Sequence, residues 1–244
     1  MEKKRETQLL LRTCNCDMYG SWRPSAILEA MQETAGEHSA LCGLTTPVMT
    51  EMGLAWVVSR VKVQMQRLPK VGETVCIETY PTPNRHMFFP RTHIFRDGEG
   101  NVLGSANSLW MLMDIQSRRV TQSSKVIARL PDNSDLKPAL GLPATVRALD
   151  GEAEQKVFQP AFTDFDTNRH VNNTKYLDWC LNALGHERLA DKCLKSFDVN
   201  YDAEILPGAE VRTELKMQED RFSFFGFAGN KQHFAVSGML ETRE

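Results

Sequence analysis

An α+β fold built twice, each copy a long helix wrapped by a curved antiparallel sheet, is predicted by three features of the sequence. The order strand, helix, strand pair, hairpin occurs twice along 244 residues. Each copy holds one segment of helical periodicity among segments of strand character. A proline-containing stretch of little periodicity separates the two.

In the first copy, "LLLRTCNCD" (9–17) reads as a strand running into a polar turn. "PSAILEAMQETAGEHSALCG" (24–43) follows as a helix, with Ile27, Leu28, Met31 and Ala35 at helical spacing and Gly43 placed to end it. "LAWVVSRVKVQMQRLPKVGETVCIETY" (54–80) gives two strands around a Leu-Pro…Gly turn, and a hairpin turning at 97–101 closes the set. In the second copy, "KVFQPAFTD" (156–164) leads into a polar motif and "TKYLDWCLNALG" (174–185) reads as the helix. Strand, Leu-Pro turn, strand and hairpin then repeat from 197 onward. Leu206 stands 138 positions after Leu68, and Asp164 stands 147 after Asp17, so the first copy carries nine extra residues, assigned to a loop at "TTPVMTEMG". The boundaries read as 1–122 for the N-terminal domain, 123–155 for a linker and 156–244 for the C-terminal domain. An antiparallel sheet must bury one face, and the single helix is its cover. The layout is a tandem double hotdog.

A net charge of -2 argues against a nucleic-acid partner and leaves any acidic partner to be met by a local basic patch. The apolar run Leu9–Leu11 is too short for a signal-peptide core, and nothing approaches a membrane span. With six cysteines and no secretion signal, the expectation is a cytoplasmic protein with reduced thiols and no membrane insertion. Cys14 and Cys16, placed on one face of a strand, have no Cys/His partner pair at metal-ligand spacing, so no metal is expected.

The motif is "DFDTNRHVNN" (164–173). Asn172 or Asn173 is a good N-cap for the helix that follows. A cap leaves Asp166, Asn168 and His170 unexplained. At i, i+2 and i+4 of an extended backbone these three point the same way, at a helix start whose N–H groups favour a developing negative charge. The first copy, "DMYGSWRPS", has Asp17 but no Asn/His pair. Matching the Leu-Pro pairs sets Glu204 against Gln66, so the second copy again holds the ionisable member. A strand position there would bring Glu204 near His170.

These residues resemble the plant and bacterial acyl–acyl carrier protein thioesterases. Their motif Asp-x-Asn-x-His-Val-Asn-Asn stands here as Asp166 to Asn173, and the likeness runs over roughly residues 10–240. The resemblance implies hydrolysis of an acyl–acyl carrier protein to free fatty acid and holo-carrier protein, ending fatty acid synthesis, with no cofactor. It implies Asp166, Asn168, His170 and Glu204 as catalytic residues. The plant enzymes follow the glutamate with a cysteine; Ile205 stands here, which removes a thiol nucleophile and leaves water as attacker. Glu204 would be the base on that water, His170 and Asn168 would orient water or carbonyl, and Asp166 would hold the loop. The roles of Glu204 and His170 could be exchanged. Backbone N–H groups near Val171 and Asn172 would receive the oxyanion. Cys180 and Cys193 read as a helix-face residue and a loop thiol. The first copy would supply the acyl pocket from Met31, Met49, Met52, Trp56 and Met65, methionine suiting flexible chains.

The implied partner is acyl carrier protein, presenting its acyl group on 4′-phosphopantetheine. Arg118, Arg119, Lys125 and Arg129, or Lys192 and Lys195, are candidate docking cations. Two fused hotdogs can satisfy the usual dimer interface within one chain, yet could pair again as a homodimer. An acyl-CoA thioesterase would share the chemistry and differ in carrier. A hotdog hydratase or dehydratase is the other enzymatic reading, although such loops carry a proline after the asparagine and one more residue before the histidine. A non-catalytic acyl-binding module would not require Asn168, His170 and Glu204 together in one copy.

Overall fold

The computed structural model describes residues 2–243. The chain forms two compact units that change over between Pro143 and Ala144, with Pro24–Ala26 grouped in the second.

The first unit contains β1 (Arg5–Leu10), α1 (Pro24–Leu41), α2 (Thr46–Glu51), β2 (Leu54–Met65), β3 (Thr74–Pro81), β4 (Phe89–Arg96) and β5 (Val102–Asp114). Its antiparallel order is β1-β3-β4-β5-β2. A short β6 (Val120–Thr121) adds to β5, and a turn of helix, α3 (Ser124–Ile127), follows. The second unit contains β7 (Glu154–Phe158), α4 (Lys175–Leu189), β8 (Lys192–Tyr201), β9 (Val211–Gln218), β10 (Arg221–Ala228) and β11 (Lys231–Thr242). Its order, β8-β11-β10-β9-β7, is the same permutation read from the other end.

Each helix is long because its apolar residues recur every three to four positions. Helix α1 starts with proline at its first position and buries Ile27, Leu28, Met31 and Ala35. Gly43, at φ 69°, ends it as the spacing predicts. His93 of β4 donates from Nε2 to the Met31 carbonyl at 3.0 Å, tying α1 to the sheet. Helix α4 buries Tyr176, Leu177, Cys180 and Leu184 and packs on β8, β9 and β11. Each fully buried apolar side chain of this kind contributes about 1.5–3 kcal/mol.

Several sequence expectations are corrected. The first strand is Arg5–Leu10, and Cys14 lies in a 3-10 turn, Thr13–Asn15, so the two cysteines share no strand face. The extra segment of the first copy is a helix, α2, opened by a Thr-Pro pair. Helix α4 runs four residues beyond Gly185, which interrupts it at φ 81°. Cys193 is buried in β8 and is no loop thiol.

The alignment of the copies also shifts. Asp17 donates its N–H to the Ser21 carbonyl at 2.8 Å, and Asp166 makes the same bond to His170 at 2.9 Å. Asp166, 149 positions on, is therefore the counterpart of Asp17, and not Asp164. Beyond the helices, Gln66 N–H donates to the Leu103 carbonyl and Asp202 N–H to that of His233, an offset of 136. Gly72 at φ 89° and Gly208 at φ 85° keep that offset. Glu204 thus stands opposite Leu68, and Gln66 matches Asp202. The Leu-Pro pairs mislead because they sit at different places in the loops before these glycines.

The stretch read as a linker is pinned along its length. Asn133 Nδ2 reaches the Pro81 carbonyl at 2.8 Å, and Asn107 Nδ2 reaches those of Leu140 and Gly141 at 2.5 and 3.3 Å. Past the changeover, Val146 N–H donates to Asn200 Oδ1 at 2.8 Å and Leu149 N–H to Ser223 Oγ at 3.0 Å. Backbone without a sheet or helix to join is satisfied here by buried side chains.

Candidate active site

The loop that opens α4 is a closed turn. Phe165 and Val171 form an antiparallel bridge, and Arg169 donates its N–H to the Asp166 carbonyl at 3.0 Å. The Asp166 carboxylate accepts from Asn168 N–H at 2.8 Å, His170 N–H at 3.4 Å and Asn168 Nδ2 at 3.3 Å. The motif is not extended, so its side chains converge through the turn and not through a strand period. Arg169 completes the turn at φ 64°, where the first copy has Gly20 at φ 74°.

Asn172 Oδ1 accepts from Thr174 N–H at 3.0 Å and Thr174 Oγ1 at 2.9 Å. The residue flanking α4 is Thr174, whose side chain caps nothing, so an asparagine satisfies the helix start two residues before its edge.

Glu204 lies in the loop after β8, not in a strand. Its Oε2 is 3.3 Å from His170 Nε2, with side chains 37% and 21% exposed. The link between the two segments is Val171 N–H to the Ile205 carbonyl at 2.9 Å. A carboxylate at hydrogen-bond distance from an imidazole, both reached by solvent, can take a proton from water and return it. Asp166, Asn168, His170 and Glu204 are therefore brought together within the second unit.

The backbone groups expected to receive an oxyanion are occupied. Val171 N–H is given to Ile205 and Asn172 N–H to the Asp164 carbonyl at 2.7 Å. Closing the turn uses these donors, so neither Val171 nor Asn172 offers its N–H to a substrate.

Two tyrosines of the second unit, Tyr176 on α4 and Tyr201 on β8, lie ring to ring without having been singled out in the sequence. Tyr176 stacks on Phe234 with centroids 4.1 Å apart, and its ring is 6.0 Å from that of Tyr201. Burial, then the charges of Glu204 and Asp166, push the Tyr176 hydroxyl well above the usual tyrosine range. Tyr176 shows in the sequence only as a helix-face residue, because its spacing is that of core.

Cys180 is buried, and burial raises its thiol far above the ordinary range, so it supplies no nucleophile. In the first unit Met31 is buried, and Trp56 meets Phe89 edge-on at 5.1 Å beside Met49, Met52 and Leu112. Of the docking candidates, Lys192 pairs with Asp220, Lys195 is buried with Nζ 4.0 Å from Glu241, and Arg129 donates to the Gly43 carbonyl at 2.8 Å. Among the described residues no cluster of three or more His, Cys, Asp or Glu could hold a metal ion, and no helix is long and apolar enough to cross a membrane.

A duplicated helix-and-sheet unit with its His–Glu pair in the second copy places the chain among double-hotdog proteins. Solved structures share that fold. An acyl-ACP thioesterase from Bacteroides thetaiotaomicron superposes with TM-score 0.88 at 19% identity, covering 98% of each chain. A 12:0-ACP thioesterase from Umbellularia californica superposes at 0.86 with 21% identity, covering 100% of this chain and 99% of that one. Residues 2–129 match the acyl-ACP thioesterase N-terminal domain and residues 147–231 the C-terminal domain. The chain belongs to the acyl-ACP thioesterase family. Its relatives include palmitoyl-acyl carrier protein thioesterases of Cuphea hookeriana, 28% identical over 198 residues, and Gossypium hirsutum, 29% identical over 191. Each alignment covers 73% of this chain and 46% of the relative, so the chain spans about half the length of the curated relatives it matches.

Proposed function

We propose that the protein hydrolyses the thioester of acyl–acyl carrier protein, releasing free fatty acid and the carrier's thiol. The observation that carries this reading is the 3.3 Å His170–Glu204 pair on a loop that Asp166 holds closed. Glu204 takes a proton from water as its oxygen bonds to the carbonyl carbon. The tetrahedral intermediate collapses with loss of the C–S bond, and the departing sulfur receives a proton through His170. One water is consumed; acid and thiol are the products. With Ile205 beside Glu204 and Cys180 enclosed, no acyl-enzyme step is needed. The first unit is assigned the acyl chain, Met31 and Trp56 contributing to its apolar lining. Six cysteines outside any disulfide suit a reducing cytoplasm.

The test is free-acid release from matched acyl carrier protein and coenzyme A thioesters of medium to long chains. Hydrolysis favouring the carrier-protein set is expected, with E204Q slowed about 10²–10⁴-fold in kcat. Activity on coenzyme A esters alone would change the partner. Near-wild-type turnover by E204Q would remove Glu204 as the base.

A further inference from the structure

The turn that carries Arg169 has three carboxylates at hand, and its guanidinium bonds to none of them. Asp164 Oδ2 accepts from Ala161 N–H at 2.9 Å, Asp166 accepts from Asn168 and His170, and Glu204 faces His170. The Arg169 side chain is exposed, and among the described residues no acceptor meets it. Resting on the hydrolytic reading above, we propose that Arg169, with the exposed Phe162 and Leu206, forms the docking surface for the acyl carrier protein, the guanidinium pairing with a carboxylate on that protein's acidic surface.

Backbone bonds tie all three residues to the loop of the His170–Glu204 pair. Arg169 directly precedes His170. Val171 N–H binds the Ile205 carbonyl at 2.9 Å, which brings Leu206 against the loop two residues from Glu204. Phe165, bridged to Val171, donates its N–H to the Phe162 carbonyl at 3.4 Å. Phe162 is 94% exposed and Leu206 55%. One exposed apolar side chain needs no explanation, but two beside an unpaired guanidinium give the mixture of apolar anchor and arginine that interfaces favour. The phosphate of a pantetheine arm would use the guanidinium alone. Only a folded partner would also cover the apolar pair, which assigns the anion to the carrier protein's carboxylates.

The duplicated chain supplies a comparison. Arg169 holds φ 64° where Gly20 of the first copy, at φ 74°, closes the same turn with no side chain. Since glycine satisfies the turn, a strained arginine there points to a use for its side chain outside the turn. At the corrected offsets of 149 and 136, the first copy places Thr13 opposite Phe162 and Lys70 opposite Leu206. The first copy exposes Met18 and Tyr19 instead, opposite Thr167 and Asn168. Exposed apolar surface as such is therefore common to both copies, whereas the set of Phe162, Arg169 and Leu206 accompanies His170 and Glu204. The cations of the adjoining α4 are engaged: Lys175 Nζ lies 3.5 Å from Asp178, and Arg188 pairs with Glu154. Arg169 is left to meet an anion from outside.

The test compares wild type, R169Q, R169E, R169K and F162S in hydrolysis of one acyl–acyl carrier protein. Each is also titrated with holo-carrier protein and with coenzyme A, which shares the pantetheine phosphate but has no carboxylate. R169Q should raise KM roughly two- to fivefold and R169E about tenfold or more, with kcat within about twofold and R169K nearest to wild type. F162S should raise KM about fivefold. Affinity for holo-carrier protein should fall in step while affinity for coenzyme A holds, and added salt should lower kcat/KM less steeply in R169Q than in wild type. A folded R169E with KM and holo-carrier affinity near wild type would overturn the proposal. So would an equal loss of coenzyme A affinity, which would give Arg169 to the phosphate, or a loss in kcat alone, which would place it at the reacting atoms. If wild type hydrolysed no acyl–carrier thioester, the functional reading itself would fall; an active wild type with an unimpaired R169E removes only the docking surface.

Discussion

Arg169 sits between Asn168 and His170 in a left-handed backbone conformation that its counterpart Gly20 adopts without steric cost. A non-glycine residue there carries about 1–2 kcal/mol of strain. The turn tolerates it because Asp166 fastens both flanks, through Asn168 N–H and His170 N–H. R169G should therefore raise stability by about 1 kcal/mol, less the added freedom of the unfolded chain, which for a protein of this size is a gain of up to about 2–4 °C in Tm. Thermal unfolding followed by circular dichroism reads it. A lowered Tm would mean that the arginine side chain stabilises the loop by more than the strain costs. Because the loop bonds run through Asp166, His170 should stay within reach of Glu204 and kcat should persist in R169G.

The elements around that loop depend on one close approach. Gly226 of β10 pairs with Phe234 of β11, and a Cβ at Gly226 would overlap the Phe234 ring on which Tyr176 stacks. G226A must displace that ring, and overpacking of this kind costs about 1–3 kcal/mol. Stability by urea unfolding should fall by that amount; an unchanged midpoint would show that Phe234 has room to move. The order of elements is legible in the sequence because helix and strand periods differ, and Gly43 and the 97–101 turn end their elements as read. The register between copies is not legible. Residues 66–72 and 202–208 have equal length but carry their Leu-Pro pairs at different positions, so a dipeptide match slips by two. Helix α2, six residues long, is too short to show a period. At the site, Asn168 and His170 stand out because the first copy lacks them, and Glu204 was found through a mismatched partner, Gln66, since Leu68 would have singled it out equally. Tyr176 escapes that comparison because the slipped offset of 147 sets it against Glu29, and only at 149 does it face Ile27.

For the whole molecule, acid should act first on the first unit, where a histidine pair and a guanidinium are enclosed. Arg91 Nη1 donates to His38 Nδ1 at 3.1 Å, and His38 Nε2 donates to the Glu2 carbonyl at 3.1 Å. Burial, then Arg91, depress both histidines, His93 to about 3 from an ordinary 6.5. Unfolded, each takes up a proton near 6.5; folded, His93 resists it until about 3, so the unfolded state holds more protons between these values. The stabilisation is complete above about pH 6.5 and is lost as pH falls, at up to about 1.4 kcal/mol per pH unit for each fully resisting group. Carboxylates depressed in the fold, such as Glu73 beside Arg67, begin to lose their contribution only below their unfolded value of 4.5. The interval from pH 6.5 to 4.5 therefore isolates the histidines. Urea midpoints across it should fall by the equivalent of about 2–4 kcal/mol, and H93Q, though less stable at pH 7 through its altered bond to the Met31 carbonyl, should show a shallower fall. A slope in H93Q as steep as wild type would place the acid sensitivity elsewhere in the chain.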